Sequence, residues 1–117
     1  MKQKYLLLLL LLAVFAAACA NYKDLVITSP DFSKIADGTY RGDSKIGPVL
    51  VTLDVTIQNG TIGQIQIIRH RNGRGKKAEA IVPRIIEAQS LEVDVISGAT
   101  ASSKAFLQAV ENALAGK

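Results

Sequence analysis

Alternation is the dominant signal in the middle of the chain. Val49, Val51, Leu53, Val55 and Ile57 fall on one face of an extended segment, with Thr52, Asp54 and Thr56 on the other. Asn59-Gly60 follows, the dipeptide best suited to a two-residue hairpin turn, and Thr61 to Arg69 returns as the next strand. The return strand imposes a register condition. With a two-residue turn Ile57 faces Ile62, but Val55 then faces Gln64 and Leu53 faces Gln66. One extra residue at Gly63 sets Ile65 beside Val55 and Ile67 beside Leu53, which predicts a β-bulge there. Upstream, Asp37-Gly38-Thr39-Tyr40-Arg41-Gly42 predicts a short opening strand, joined to the long one through Gly47-Pro48.

The period then changes. From Ala78 to Gln89 the apolar residues Ile81, Val82, Ile85 and Ile86 recur at helical spacing. Pro83 interrupts them, so either a kink or the end of one helix and the start of another is expected at the proline. Leu91, Val93 and Val95 alternate as a short strand. The last helix has one stripe of Phe106, Leu107, Val110, Ala113 and Leu114. Lys104, Gln108, Glu111 and Asn112 form its polar side, and Gly116 closes it. These elements predict an α+β fold: a small antiparallel sheet with a β-hairpin, packed by a kinked helix and a C-terminal helix.

The N-terminus has a different pattern. Lys2 and Lys4 precede an unbroken apolar run from Leu6 to Ala18, and Cys19 follows three alanines. Thirteen residues at 1.5 Å each reach only about 20 Å, short of the ~30 Å hydrocarbon core. The run is therefore expected to be an export signal rather than part of the fold. Ala16-x-Ala18 suits an ordinary signal peptidase. Ala-Ala-Ala-Cys also resembles a bacterial lipoprotein box, with Ala16 where leucine is more usual, and Cys19 stands where a lipid would be added. The lipoprotein reading is the one adopted: residues 1–19 as signal ending at a lipidated Cys19, 20–36 as tether, and 37–117 as the domain. Multiple acyl chains, at ~0.8 kcal/mol per buried CH₂, would hold it to a membrane.

Charge changes the picture little. Fourteen basic and ten acidic residues give +4, which falls to +2 when Lys2 and Lys4 are subtracted. That balance, together with export, argues against nucleic acid. With one cysteine and one histidine in the chain, neither an intramolecular disulfide nor a metal site is expected.

The candidate chemistry lies in Asp94-Val95-Ile96-Ser97-Gly98-Ala99-Thr100. Gly98 can take backbone angles closed to other residues, and Ser97 and Ala99 are small, so the Thr100 hydroxyl is not fenced in. Thr100 is expected to cap the last helix. The first N–H groups of that helix, at Ala101, Ser102 and Ser103, would then point toward an anion held on the hydroxyl, helped by about 0.3–1 kcal/mol from the helix dipole. Hydroxyls of Ser102 and Ser103 are candidate further donors. The plain alternative is a turn and a capped helix with no ligand.

The pattern D-x-x-S-G-A-T resembles the flavin attachment motif of the FMN-binding domain family. Further likeness lies in D-G-T-Y-R-G at 37–42, G-P-V at 47–49, N-G-x-I at 59–62 and Q-S-L-E-V-D at 89–94, so that it spans Ala36 to Lys117. The family includes flavinylated subunits of sodium-pumping NADH:quinone oxidoreductase and Rnf complexes, and small exported flavoproteins. The resemblance implies FMN joined by a phosphoester to Thr100, with Ser97, Gly98, Ala99, Ala101, Ser102 and Ser103 around it. It implies that Asp94 serves recognition by a separate Mg²⁺-dependent flavin transferase, which moves the FMN half of FAD. The chain would then be an electron carrier and a transferase substrate, not itself an enzyme. Its partners would be redox proteins or a quinone-linked membrane complex.

Other residues carry weaker signals. His70, beside two arginines at a strand end, is expected to be solvated, with a flavin or phosphate contact as the alternative. Arg69, Arg71, Arg74, Lys76 and Lys77 form a basic loop, read as solvated or as a docking patch for an acidic partner or anionic headgroups. Gly73 and Gly75 only weakly suggest a phosphate loop. Tyr40 is expected in packing, or else lining a flavin. A cofactor-free surface lipoprotein that binds a partner through the basic loop is the competing function.

Overall fold

The computed structural model describes residues 25–71 and 76–116. The expected signal, Cys19, the first part of the tether and Asn72 to Gly75, including Arg74, lie outside the described residues. Three antiparallel strands, β1 (Gly38–Ile46), β2 (Val49–Gln58) and β3 (Thr61–Arg71), form one sheet in the order β1-β2-β3. A 3-10 turn at Lys76–Ala80 leads into helix α1 (Ile81–Ala88), and helix α2 is Thr100–Ala115. The α+β fold class is as expected.

β2 is central and follows its alternation. Val49, Val51, Leu53, Val55 and Ile57 are buried, and the residues between them face outward. Asn59 and Gly60 both adopt positive φ, 53° and 74°, as a two-residue turn matching strand twist demands. The Asp37 carboxylate accepts from the Asn59 N–H at 2.9 Å. Ile57 pairs with Ile62 and Thr56 with Gln64, so Gly63 is the extra residue and the bulge falls where the pattern required it. A second irregularity lies further on. Leu53 pairs with Ile67 and Thr52 with Arg69, leaving Ile68 over. Past that point the faces exchange: Arg69 turns outward, and His70, opposite Val51, joins the core face.

The helices cover that one face. On α2, Ala105, Phe106, Ala109 and Val110 are fully buried. The helix lies so close to β1 that a Cβ on Gly42 would meet the Ala109 carbonyl oxygen, and would stand 2.6 Å from the Ala113 nitrogen. Ser44 Oγ donates to the Ala105 carbonyl at 2.5 Å, and Asn112 Nδ2 donates to the Asp43 carbonyl at 2.8 Å. Since Ala105 lies at Ser44 and Ala109 at Gly42, the start of α2 points toward the Ile46 end of β1.

Three local expectations are corrected. Pro83 neither kinks nor divides a helix. It falls in the first turn of α1, where its absent N–H costs nothing, and the change from 3-10 to α geometry comes earlier, at Ile81. Leu91 to Val95 forms no strand. The edge of β3 at Ile62 is taken by the Gln89 side chain, whose Oε1 accepts from the Ile62 N–H at 2.7 Å while Nε2 donates to its carbonyl at 2.9 Å. Leu91 N–H donates instead to Ser29 Oγ at 3.0 Å. Finally, the described part of the segment expected as tether lies on the domain. Phe32, in a 3-10 turn at Phe32–Lys34 whose N-cap is Asp31, is buried in the core, and Thr28 N–H donates to the Glu111 carboxylate.

Candidate functional site

The motif residues converge on the turn that enters α2. Ala99 N–H donates to the Ile96 carbonyl at 2.9 Å, closing a four-residue turn. Gly98, the third residue of that turn, has φ +77°, a conformation that a side chain would strain. Ser103 locks the turn to the helix. Its Oγ accepts from the Ile96 N–H at 3.0 Å, and its own N–H donates to the Ala99 carbonyl at 2.9 Å.

These bonds revise the role expected of Thr100. The N-cap position is held by Ala99, which is buried and offers no side-chain oxygen; Thr100 is the first helical residue and is exposed. A hydroxyl engaged in capping would be turned back onto its own helix. One residue further in, that duty is removed, and Thr100 stands exposed. Ser97 and Gly98 are also exposed, whereas Ser102 and Ser103 are buried. The Ser103 hydroxyl oxygen accepts from the turn and is fully buried, which gives it a structural role.

Two features here were not found in the sequence. Lys77, from the 3-10 turn, lies over Gly98: its Cε is 3.2 Å from where a Cβ on residue 98 would stand, and its Nζ is closer. His70 is not solvated, as the sequence had suggested. Its side chain is 4% exposed, with Nδ1 3.1 Å from Glu79 Oε2 and the ring edge-on to Phe106 at 4.7 Å between centroids. Nε2 is buried without a hydrogen-bond partner. The second bulge is the cause, because it turns residue 70 inward.

Asp94 is exposed on the approach to the turn, and its carbonyl accepts from Arg84 Nη1 at 3.3 Å. Beside it runs an open groove of about 600 Å³, lined by Arg84, Glu87, Ala88, Glu92, Val93 and Asp94. Tyr40 is at the other end of β1 and donates its hydroxyl to the Ala36 carbonyl at 2.6 Å, a packing role. Among the described residues no cluster of His, Cys, Asp and Glu is arranged to hold a metal, and no helix is long and apolar enough to cross a membrane.

The site therefore consists of an exposed alcohol, a turn whose positive φ at Gly98 disfavours a side chain, a cation above it and a helix N-terminus beneath. That donor set suits a phosphate ester. The sequence profile of the FMN-binding domain family matches residues 47–115, more than half of the chain and all of this site. The chain belongs to the FMN-binding domain family, and its role is to bind flavin. It is also 32% identical over 85 residues to an uncharacterized protein of Treponema pallidum (strain Nichols). That alignment covers 70% of this chain and 24% of the relative, so the chain spans about a quarter of the longer protein.

Proposed function

We propose that this protein is an extracytoplasmic electron carrier whose FMN is joined through a phosphoester to Thr100. The observation that carries the reading is the exposed Thr100 hydroxyl, released from capping at the first position of α2, in a chain of the FMN-binding domain family. In the attachment step Thr100 gives up its hydroxyl proton and its Oγ bonds to the FMN phosphorus of FAD. The pyrophosphate P–O bond breaks and AMP leaves. A separate Mg²⁺-dependent flavin transferase supplies the catalytic groups, and exposed Asp94 is part of what it recognises. Bound flavin supplies reversible one- and two-electron chemistry.

The chain's own contribution is display and retention. Outside the cytoplasm a cofactor held without a bond needs nanomolar affinity, about −12 kcal/mol. A small domain with 5% aromatic residues and no tryptophan has little from which to build so deep a pocket. An ester on a fixed turn removes that requirement and leaves the ring accessible to partners. Export through the N-terminal signal and lipidation at Cys19 complete the proposal, holding the carrier at a membrane beside redox proteins or a quinone-linked complex.

The test is co-expression with a competent flavin transferase, denaturation and peptide mass analysis. The peptide holding Thr100 should gain the mass of FMN less water and keep yellow fluorescence. Thr100→Ala should abolish attachment while leaving the fold intact, since no capping bond is lost. An unmodified wild-type peptide overturns the carrier reading; flavin retained on Thr100→Ala overturns the choice of acceptor.

A further inference from the structure

We propose that Lys77 is the counter-charge of the phosphodiester on Thr100; this rests on the attachment reading above. Basic side chains near a solvent-exposed loop ordinarily reach into water or toward a carboxylate. Lys77 does neither. Its ammonium lies on the one backbone position of the attachment turn that has no Cβ, and a side chain at residue 98 would collide with it. The glycine therefore serves two ends, allowing the φ of +77° and leaving open the space in which the lysine comes down.

The placement is fixed from behind. Ala78, the next residue, is fully buried, so the backbone that carries Lys77 is anchored in the core. The nearest carboxylate in sequence, Glu79, is already turned to His70 Nδ1. The ion pairs of Arg41 with Asp54 and of His70 with Glu79 do not use Lys77. A positive charge without a carboxylate thus stands over the turn that bears the acceptor hydroxyl, two residues before Thr100. A phosphodiester carries one negative charge and two unesterified oxygens, which is the chemistry such an ammonium recognises. During transfer the same charge would steady the extra negative charge on the phosphorus oxygens. Lys77 is therefore a positioning residue for the acceptor turn before transfer and a phosphate ligand after it.

The experiment compares full-length wild type, Lys77→Gln and Lys77→Arg with FAD and a flavin transferase. Flavin transfer to Lys77→Gln should fall about fivefold in kcat/KM, with the loss shrinking as salt is raised, and Lys77→Arg should stay near wild type. A second readout does not depend on turnover. Acetylation of the Lys77 amine, followed by peptide mass analysis, should slow on flavinylation, while Lys45 on β1 labels at an unchanged rate. If Lys77 in flavinylated wild type acetylates as fast as in the apoprotein, the proposal is overturned and the attachment reading stands. If wild type takes no flavin at all, both fall.

Discussion

The two halves of α2 meet the sheet in opposite ways. Toward its C-terminus the helix is pressed on β1 with no side chain between them: Ala109 and Ala113 lie on Gly42, and Asn112 reaches the Asp43 carbonyl. At its N-terminus the contacts are polar and local. Ser103 holds Ile96, Ala99 replaces a capping side chain, and Thr100 is left exposed. The first half is built by exclusion of volume, the second by assignment of hydrogen bonds. The division lets a domain of this size display an exposed alcohol, because the helix is immobilised far from it.

The seam is the more costly half to break. Gly42→Ala places a methyl against the Ala109 carbonyl and 2.7 Å from the Ala113 Cβ. Both obstacles belong to a buried helix, so the strand and helix must separate. A loss of about 3 kcal/mol in urea unfolding is expected, at the upper end for overpacking. A loss of under roughly 0.5 kcal/mol, the range of an ordinary surface change, would mean that the close approach is not what fixes α2. At the other half, Ser103→Ala leaves the part-buried Ile96 N–H without its acceptor. About 1–2 kcal/mol should be lost. The measurement that separates the halves is hydrogen exchange. Ser103→Ala should speed exchange at Ile96 and Ala99 far more than at Ala109, whereas Gly42→Ala should raise exchange along the whole helix.

The sequence was legible where a local period decides the structure. β2 alternates without a break, so its core face could be named residue by residue. The bulge at Gly63 was legible because Gln64 and Gln66 would otherwise have entered the core. The bulge at Ile68 was not, because Ile67 and Ile68 are both apolar and give no phase. That single ambiguity exchanged the faces of Arg69 and His70 and concealed the buried imidazole. Leu91 to Val95 alternates as a strand should, but strand formation requires a neighbouring edge, and at Ile62 the edge of β3 is taken by the Gln89 side chain, a contact that no period reveals. The turn and the helix start at Ser97 to Thr100 were legible, but the cap was one residue off, since Ala99 holds the N-cap position. Ser103, expected near the phosphate, instead supports the turn. Lys77 belonged to a run of basic residues with no period at all, and its backbone is placed by the burial of Ala78 beside it.

The outward face of β1 gives the smallest effect and the cleanest contrast with the sealed face beside it. Arg41, next to Gly42, holds Asp54 across the strands, with Nε 2.8 Å and Nη2 3.1 Å from the two carboxylate oxygens. The hydrogen bond from Arg41 lowers the Asp54 pKa below the ordinary 3.8; burial opposes it, and the charge of Arg41 adds a smaller lowering. A carboxylate depressed in the folded state lends stability that is full above its unfolded pKa and disappears as pH falls through the folded value. Arg41→Met should therefore reduce the urea midpoint slightly at about pH 7 and by less at about pH 2, as the folded state takes up a proton on Asp54. Because the pair is exposed, the difference at neutral pH should also shrink with salt. Gly42→Ala, by contrast, should cost nearly the same at both pH values, since a steric conflict carries no proton. If the Gly42 loss followed the pH and the Arg41 loss did not, the assignment of one face to packing and the other to charge would be reversed.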